Sequence, residues 1–413
     1  MNSDRRSRAT PASGGVVSVG LLIALFVQNA VPPFATDMYT PAFPEVTRDM
    51  GVSASLIGFT LTAFFIGFGT GQVAGGAASD QYGRRIPMII GGLACTAGGL
   101  ICAVAPSIWV LFAGRIIQGL GGGAAAAIGR AVLVDVAKGD ALAKAMSLLM
   151  ALQGLAPMVA PVLGGVIVTH TTWRVVFWSL VGFGVLMVVL AWFLVPESLP
   201  PADRHTGGLR TFVHDARDIL SRRRFIAYMG VAGLSGLTLF SYISNASYTL
   251  QEQLGMDPMT FSLVFGGNAL VSVVLAIVNA RLVGTVQVRR LIGLGLSVST
   301  VGVTTLAVTI FAEGTALPGV VVGFLLVMAA QAFIFGNSSA QALAAARDHA
   351  GTASAVVGLA QSTASAVAAP IATLGGSRSS VPMVVLMMVG LTATWLLFRW
   401  SGRVRDPNAG GRI

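Results

Sequence analysis

Apolar residues run along this chain in long blocks, and polar positions fall mostly between the blocks. Twelve stretches of eighteen or so mainly apolar residues are centred near Leu25, Phe65, Leu93, Gln118, Leu155, Val185, Leu237, Val271, Val301, Val327, Ala366 and Met388. Runs of that length read as membrane helices, because a backbone in lipid must satisfy its hydrogen bonds within the segment. The blocks predict two sets of six helices. Spans one to six end at "VPESLP", Val195 to Pro200, and a polar, basic break follows from Pro201 to Arg224. Spans seven to twelve begin at Phe225. The predicted organisation is an N-terminal tail (1–15), a six-helix bundle (16–196), a central loop (197–224), a second six-helix bundle (225–400) and a C-terminal tail (401–413).

Composition agrees with that pattern. Of 413 residues, 54% are hydrophobic and only 10% charged, far below the quarter or so of a soluble domain. The 51 glycines suit close helix contacts in lipid. The net charge of +10 could suggest nucleic acid, but its placement argues for topology instead. Arg5, Arg6, Arg8, Arg84, Arg85, Arg130, Lys138, Lys144, the cluster from Arg204 to Arg224, Arg281, Arg289, Arg290, Arg347 and the tail from Arg399 all fall on one side. Only Arg48, Arg174 and Arg378 fall on the other. By the positive-inside rule both termini are expected in the cytoplasm, and no nucleic-acid partner is implied. Cys95 and Cys102, seven apart on the third span, share a helix face and read as packing residues, not a disulfide. The four histidines, His170, His205, His214 and His349, are expected in loops; no metal-binding or esterase motif appears, so no enzyme is expected.

Charges inside spans carry most of the functional information, because they are costly there. No charge separates Arg8 from Asp37, which closes the first apolar stretch at "FATDMYTPAFPE". Asp37 reads either as a boundary residue at the outer rim or as a proton-titrating carboxyl facing a central cavity. Asn29, eight residues earlier, lies near the same helix face and adds a polar stripe. Arg115, in "WVLFAGRIIQGLGGGAAAA", needs a water-filled cavity or a partner, and Gln118 follows it at helical spacing. Three further stretches bear on motion. "GGAASDQYGRR" reads as a tight turn, with Asp80 able to hold an arginine or a helix N-terminus. In "GLAPMVAPVLGG", Pro157 and Pro161 each remove a helix hydrogen bond, giving a static kink or a hinge. In "FSYISNASYTLQEQ", Tyr242, Asn245 and Tyr248 could touch substrate or form an interfacial belt.

Taken together, these motifs are similar to those of the major facilitator superfamily, and specifically its drug/proton antiporters of the Bcr/CflA type. The resemblance also rests on "TWRVVFW", "PESLP" and "AGTASAVVGLAQ", and covers nearly the whole chain. It implies an all-α membrane protein of twelve transmembrane helices in two pseudo-symmetric halves, in the inner cell membrane. It implies proton-coupling roles for Asp37 and Arg115, a substrate cavity including Asn29, Gln118, Tyr242 and Asn245, and conformational motifs at Gly76, Asp80, Gly83, Arg84, Arg85, Pro157, Pro161, Gly164 and Gly165. Gln81 stands where the loop motif usually has a basic residue, and Ala160 replaces a glycine of the helix-five motif. The function implied is proton-driven export of small hydrophobic antibiotics, chloramphenicol-like or bicyclomycin-like, by a monomer with no cofactor or metal beyond the coupling proton. An importer or facilitator of a small metabolite on the same fold is the alternative.

Overall fold

The computed structural model describes residues 18–204, 208–312, 315–346, 349–376 and 378–402. The expected N-terminal tail (1–15) and nearly all of the C-terminal tail (401–413) lie outside the described residues. The first half comprises α1 (Val19–Asn29), α2 (Val31–Asp37), α3 (Phe43–Met50), α4 (Ala54–Tyr82), α5 (Arg85–Ala103), α6 (Ile108–Val136), α7 (Gly139–His170) and α8 (Trp173–Leu194). α9 (Gly208–Ile219) follows. The second half comprises α10 (Arg223–Ser247), α11 (Pro258–Leu282), α12 (Val288–Ala312), α13 (Leu317–Ala344), α14 (Ala350–Ala372) and α15 (Val381–Ser401). No sheet occurs among the described residues; Val283 and Val286 form one isolated bridge.

Eleven helical segments are each long and apolar enough to cross a membrane, and the broken pair Val19–Asn29 and Val31–Met50 makes a twelfth. Their starts follow local chemistry. The side-chain oxygens of Ser18, Ser53, Ser107 and Asp257 accept backbone N–H bonds at the starts of α1, α4, α6 and α11. Between α1 and α2 the chain bends by 42°. Pro32 and Pro33 supply no N–H to the turn before them, which breaks the ladder there.

Three expectations are corrected by the fold. Asp37 does not end the first span: a 3₁₀ turn (Thr40–Ala42) and α3 carry the helical path on to Met50. Arg130, expected around the loop after span four, lies inside α6. The central loop is not wholly irregular, because α9 occupies Gly208–Ile219; its His214 and the last residue of α7, His170, are helical.

Close backbone packing binds the N-terminal half. Gly119 and Gly123 of α6 lie against the backbone of α4 at Phe64 and Phe68, so a Cβ at either would run into a carbonyl oxygen. Small residues that let backbones approach are the main attraction available between helices in lipid. Filling one should cost about 1–3 kcal/mol. Gly119→Val is therefore expected to lower the melting temperature of the purified protein, whereas Gly76→Ala, which meets open space, should leave it within about 0.5 kcal/mol of wild type.

Candidate functional site

The face carrying Arg84, Arg85, Arg204, Arg289 and Arg290 is called the basic face here, and the opposite face the distal one. Hydrogen bonds between the two halves cluster toward the distal face. Arg48 on α3 reaches Glu252 at 2.6 Å, in the π-helical turn Tyr248–Gln253 that ends α10. Thr47 and Tyr248 share a 2.8 Å hydroxyl bond, and Gln251 donates to the Pro41 carbonyl at 3.1 Å. Ser55 and Thr62 on α4 donate to the Pro370 and Ala366 carbonyls on α14. These contacts seal the distal end.

Asp37 lies behind that seal. It is 5% exposed, and its one side-chain hydrogen-bond partner among the described residues is Thr36, whose Oγ1 is 2.8 Å from Asp37 Oδ1. Thr36 Oγ1 is also 2.8 Å from the Pro32 carbonyl. A hydroxyl has one hydrogen, so it cannot donate to both. When Asp37 is charged, Thr36 can donate to it. When Asp37 is protonated, the carboxyl can donate to Thr36 while Thr36 donates to Pro32. No ion pair involves Asp37 among the described residues, and a charge buried in this way must be paired or neutralised. The helix-five motif supports the same spot. Gly164 of α7 packs against the backbone of Met38, and Gly165 packs against Ser262 of α11, in the other half. Pro157 and Pro161 sit within α7, and Gly266 of α11 rests against Met158, Pro161 and Val162.

Arg115 is not joined to Asp37 by any hydrogen bond or ion pair. It is fully buried within the N-terminal half, donating to Gln118 Oε1 at 2.7 Å and more weakly to the Thr60 carbonyl at 3.4 Å. Its guanidinium carbon is 4.7 Å from the Phe64 ring centre, 5.3 Å from that of Tyr39 and 5.8 Å from that of Phe177. Ring faces attract a desolvated cation, so the arginine has partners instead of a carboxylate. Its Nη2 has no hydrogen-bond partner.

The remaining expected cavity residues separate. Tyr242 is fully buried, stacked on Phe265 at 5.1 Å and hydrogen-bonded by Asn268 at 3.3 Å; it is not part of an interfacial belt. Asn245 is occupied structurally: it donates to the Ala372 carbonyl at 2.8 Å and accepts from Thr249 at 2.7 Å. Asn29 donates to the Leu25 carbonyl at 2.9 Å and accepts from Arg130. Sequence reasoning missed Thr36, Arg130, Asn268 and Gln331, whose side-chain amide is buried on α13 with neither polar atom bonded. The polar side chain at position 331 amid "LLVMAAQAFIF" was the signal available. The two cysteines are free and buried.

On the basic face the loop motif closes within the N-terminal half. Arg84 pairs with Asp80 at 2.5 Å and Asp135 at 2.9 Å, and donates to Ser79 Oγ at 2.8 Å. Gly83 takes a left-handed φ of 91°, and a side chain there would collide with Glu197 and Arg204. Arg85 donates to the Trp192 carbonyl and lies over its ring. Glu197, of "PESLP", caps the start of α5 by accepting from the backbone N–H groups of Arg84 at 2.7 Å and Arg85 at 3.3 Å. Burial alone would raise its proton affinity, but the N–H groups of Arg84, Leu199 and Arg85 and the charge of Arg204 outweigh it and hold the carboxyl below its usual range. A lowered carboxyl contributes stability above its unfolded value, about 4.3, and loses it as pH falls through the folded value. Glu197→Gln is thus expected to lower the melting temperature at pH 7, with the gap from wild type closing as melts are repeated toward about pH 3.

Comparisons with known proteins agree with this architecture. A family model described as Major Facilitator Superfamily matches residues 25–369 and, in a second match, 229–412. An uncharacterized MFS-type transporter, YdgK of Bacillus subtilis, is 31% identical over 91% of this chain and 93% of its own. A bicyclomycin resistance protein homolog of Haemophilus influenzae is 26% identical over 89% of this chain and 92% of its own. The multidrug resistance protein MdtL of Klebsiella pneumoniae is 28% identical over 91% and 94%. Among solved structures, a bacterial homolog of the human lysosomal transporter Spinster aligns with a TM-score of 0.77 at 14% identity, over 96% of this chain and 100% of that one. The xylose transporter XylE of E. coli aligns at 0.71 and 16%, over 95% and 99%. The twelve-span path, the glycine-packed halves and these matches agree: the chain is a multi-pass membrane protein belonging to the major facilitator superfamily of transporters.

Proposed function

We propose that this transporter exports small, fairly hydrophobic drug molecules in exchange for protons, with the basic face and both termini in the cytoplasm of a cell bounded by its inner membrane. The observation that carries this reading is the placement of Asp37. It is an acid shut away from water, with no cation paired to it among the described residues, at the boundary between the halves. Its neighbour Met38 packs against Gly164 of α7, and the next residue, Gly165, packs against Ser262 of the other half.

A carboxyl in that position takes up a proton when the halves part on the distal side and water reaches it. It gives the proton up when the basic-face opening hydrates it, so its charge follows the exposure of the site. Thr36 can serve both forms without moving its backbone, turning its hydroxyl between Asp37 and the Pro32 carbonyl. Arg115 sits in its aromatic cage within the N-terminal half and makes no hydrogen bond or ion pair with Asp37. Gly164 and Gly165 place α7 between the Asp37 segment and α11, so rocking of one half on the other passes directly alongside the titrating group. The cargo is a small molecule and the working unit a monomer. The relatives named for resistance to bicyclomycin and to multiple drugs support the drug assignment.

In inverted membrane vesicles, Asp37→Asn is expected to reduce drug-dependent dissipation of a proton gradient by at least about tenfold, the equivalent of 1.4 kcal/mol. Asp37→Glu should retain part of it, and Thr36→Val should shift its pH dependence with the signal otherwise kept. Proton-coupled drug movement unchanged in Asp37→Asn would remove the assignment.

A further inference from the structure

Gln331 stands at the middle of α13 and is 6% exposed. Among the described residues it is the one buried side-chain amide of the spans with neither its oxygen nor its nitrogen bonded. The others are each bonded at one end at least, as Gln118 is by Arg115 and as Asn279 and Asn337 are by each other. A carboxamide taken out of water and given no partner is costly, more so at mid-span, where no water or headgroup lies beside it.

Two contacts fix its surroundings. α10 and α13 run antiparallel. They touch at Tyr242 and Phe324, whose ring centres are 4.7 Å apart, and again nearer the basic face, where Arg224 donates to Gln341 at 3.2 Å. Gln331 is seven residues beyond Phe324, so it shares the face of α13 that Phe324 turns to α10. Ser235 is seven residues before Tyr242 and shares the corresponding face of α10. The two positions therefore face each other between the two contacts. α12 takes a different side of α13, with Gly295 against the Ala330 carbonyl and Gly302 against the Gly323 carbonyl. Ser235 gives its hydroxyl to its own Ala232 carbonyl at 3.0 Å, and Gln331 is left without a partner. Toward the distal side Tyr242 closes the space, stacked on Phe265 and bonded by Asn268.

These two helices also front the other half. The halves meet along two lines, α4 on α14 and α7 on α11. Within the second half, α10 packs on α14, α13 on α10 and α11 on α13. α10 and α13 thus stand between the two lines of contact, on the stretch that a molecule admitted between the halves would meet.

We propose that Gln331 recognises a cargo group carrying an N–H and a C=O side by side, as a lactam or a primary amide does. The glutamine amide has N–H donors and an oxygen acceptor in one plane, so its edge pairs with such a group through two parallel hydrogen bonds. Rotation about the side-chain bonds turns the amide from the α10 side toward the space between the halves as they part. A cargo with acceptors alone fills half of that edge and leaves the Gln331 oxygen without a donor. The inference rests on the export reading for its cargo, and its test needs binding alone.

Quinolin-2-one and coumarin are suitable probes: they share a bicyclic outline and a carbonyl, and the ring N–H of the first is an oxygen in the second. With the full chain in phosphatidylcholine nanodiscs, quinolin-2-one should raise the melting temperature in a concentration-dependent way, with an apparent affinity at least about tenfold above that of coumarin. Gln331→Leu should erase this preference and leave the melting temperature without ligand no lower, because it removes two polar atoms that lack partners. Gln331→Met supplies the same comparison if Gln331→Leu does not fold. A preference equal in wild type and variants, or no response to quinolin-2-one in wild type, overturns the site. So does a loss of stability without ligand in both variants, which would assign the amide to a buried water and a structural role. A Gln331-dependent preference in a protein whose drugs do not dissipate a proton gradient keeps the site and removes the export reading. Dissipation by drugs with no Gln331-dependent preference does the reverse.

Discussion

The structure depends on one constraint: a polar group taken into lipid must find its partner inside the protein. The three deep charges of the N-terminal half meet it in three ways. Arg115 is solvated by ring faces, a glutamine and a carbonyl, so its charge is held permanently. Asp37 has a single hydroxyl that can serve as donor or acceptor, so it is accommodated in either protonation state. Arg130 is half-buried and takes the fixed amide of Asn29 as its partner. A caged charge, a charge that can be neutralised and a half-buried charge thus lie within one six-helix bundle.

The same constraint shapes the seal. Helices in lipid gain little from burying apolar surface, so their attraction comes from close backbone approach and a few interhelical hydrogen bonds. Toward the distal face both are present between the halves: Gly58 against Ala369, Gly165 against Ser262, and hydrogen bonds from Thr47, Ser55 and Gln251. The Arg48–Glu252 pair is exposed on the arginine side and contributes at most about 1 kcal/mol. A seal assembled from many weak contacts can be exchanged for another of similar strength, as the proposed export would require. On the basic face the loop motif binds the N-terminal half to itself: Arg84 serves Asp80, Asp135 and Ser79, and Glu197 caps α5. Among the described residues it holds no hydrogen bond across to the other half.

Much of the fold was legible in the sequence because lipid leaves few choices. Block length fixed the spans, and the break after "VPESLP" separated the halves. What misled were boundaries. Asp37 read as the end of a span because a charge followed by two prolines resembles one, yet the helical path continues to Met50. Arg130 read as a loop residue because it stands near other charges, and only the length of α6 shows otherwise. The prolines at 32 and 33 marked the bend of the first span, and they are visible in the sequence.

By itself the sequence determined the all-helical class, the twelve-span count, the asymmetry of charge and the rare polar residues on which function would turn, since hydropathy and charge are properties of single residues and short windows. Only the tertiary structure decided which of those residues meet. Asp37 and Arg115 seemed a pair and are apart. Asn29 and Arg130 are 101 positions apart and are joined. Asn245 seemed open to cargo and is occupied by α14. Contacts between helices depend on crossing angles and on where glycines admit a neighbouring backbone, and no local pattern in one helix encodes the other's position.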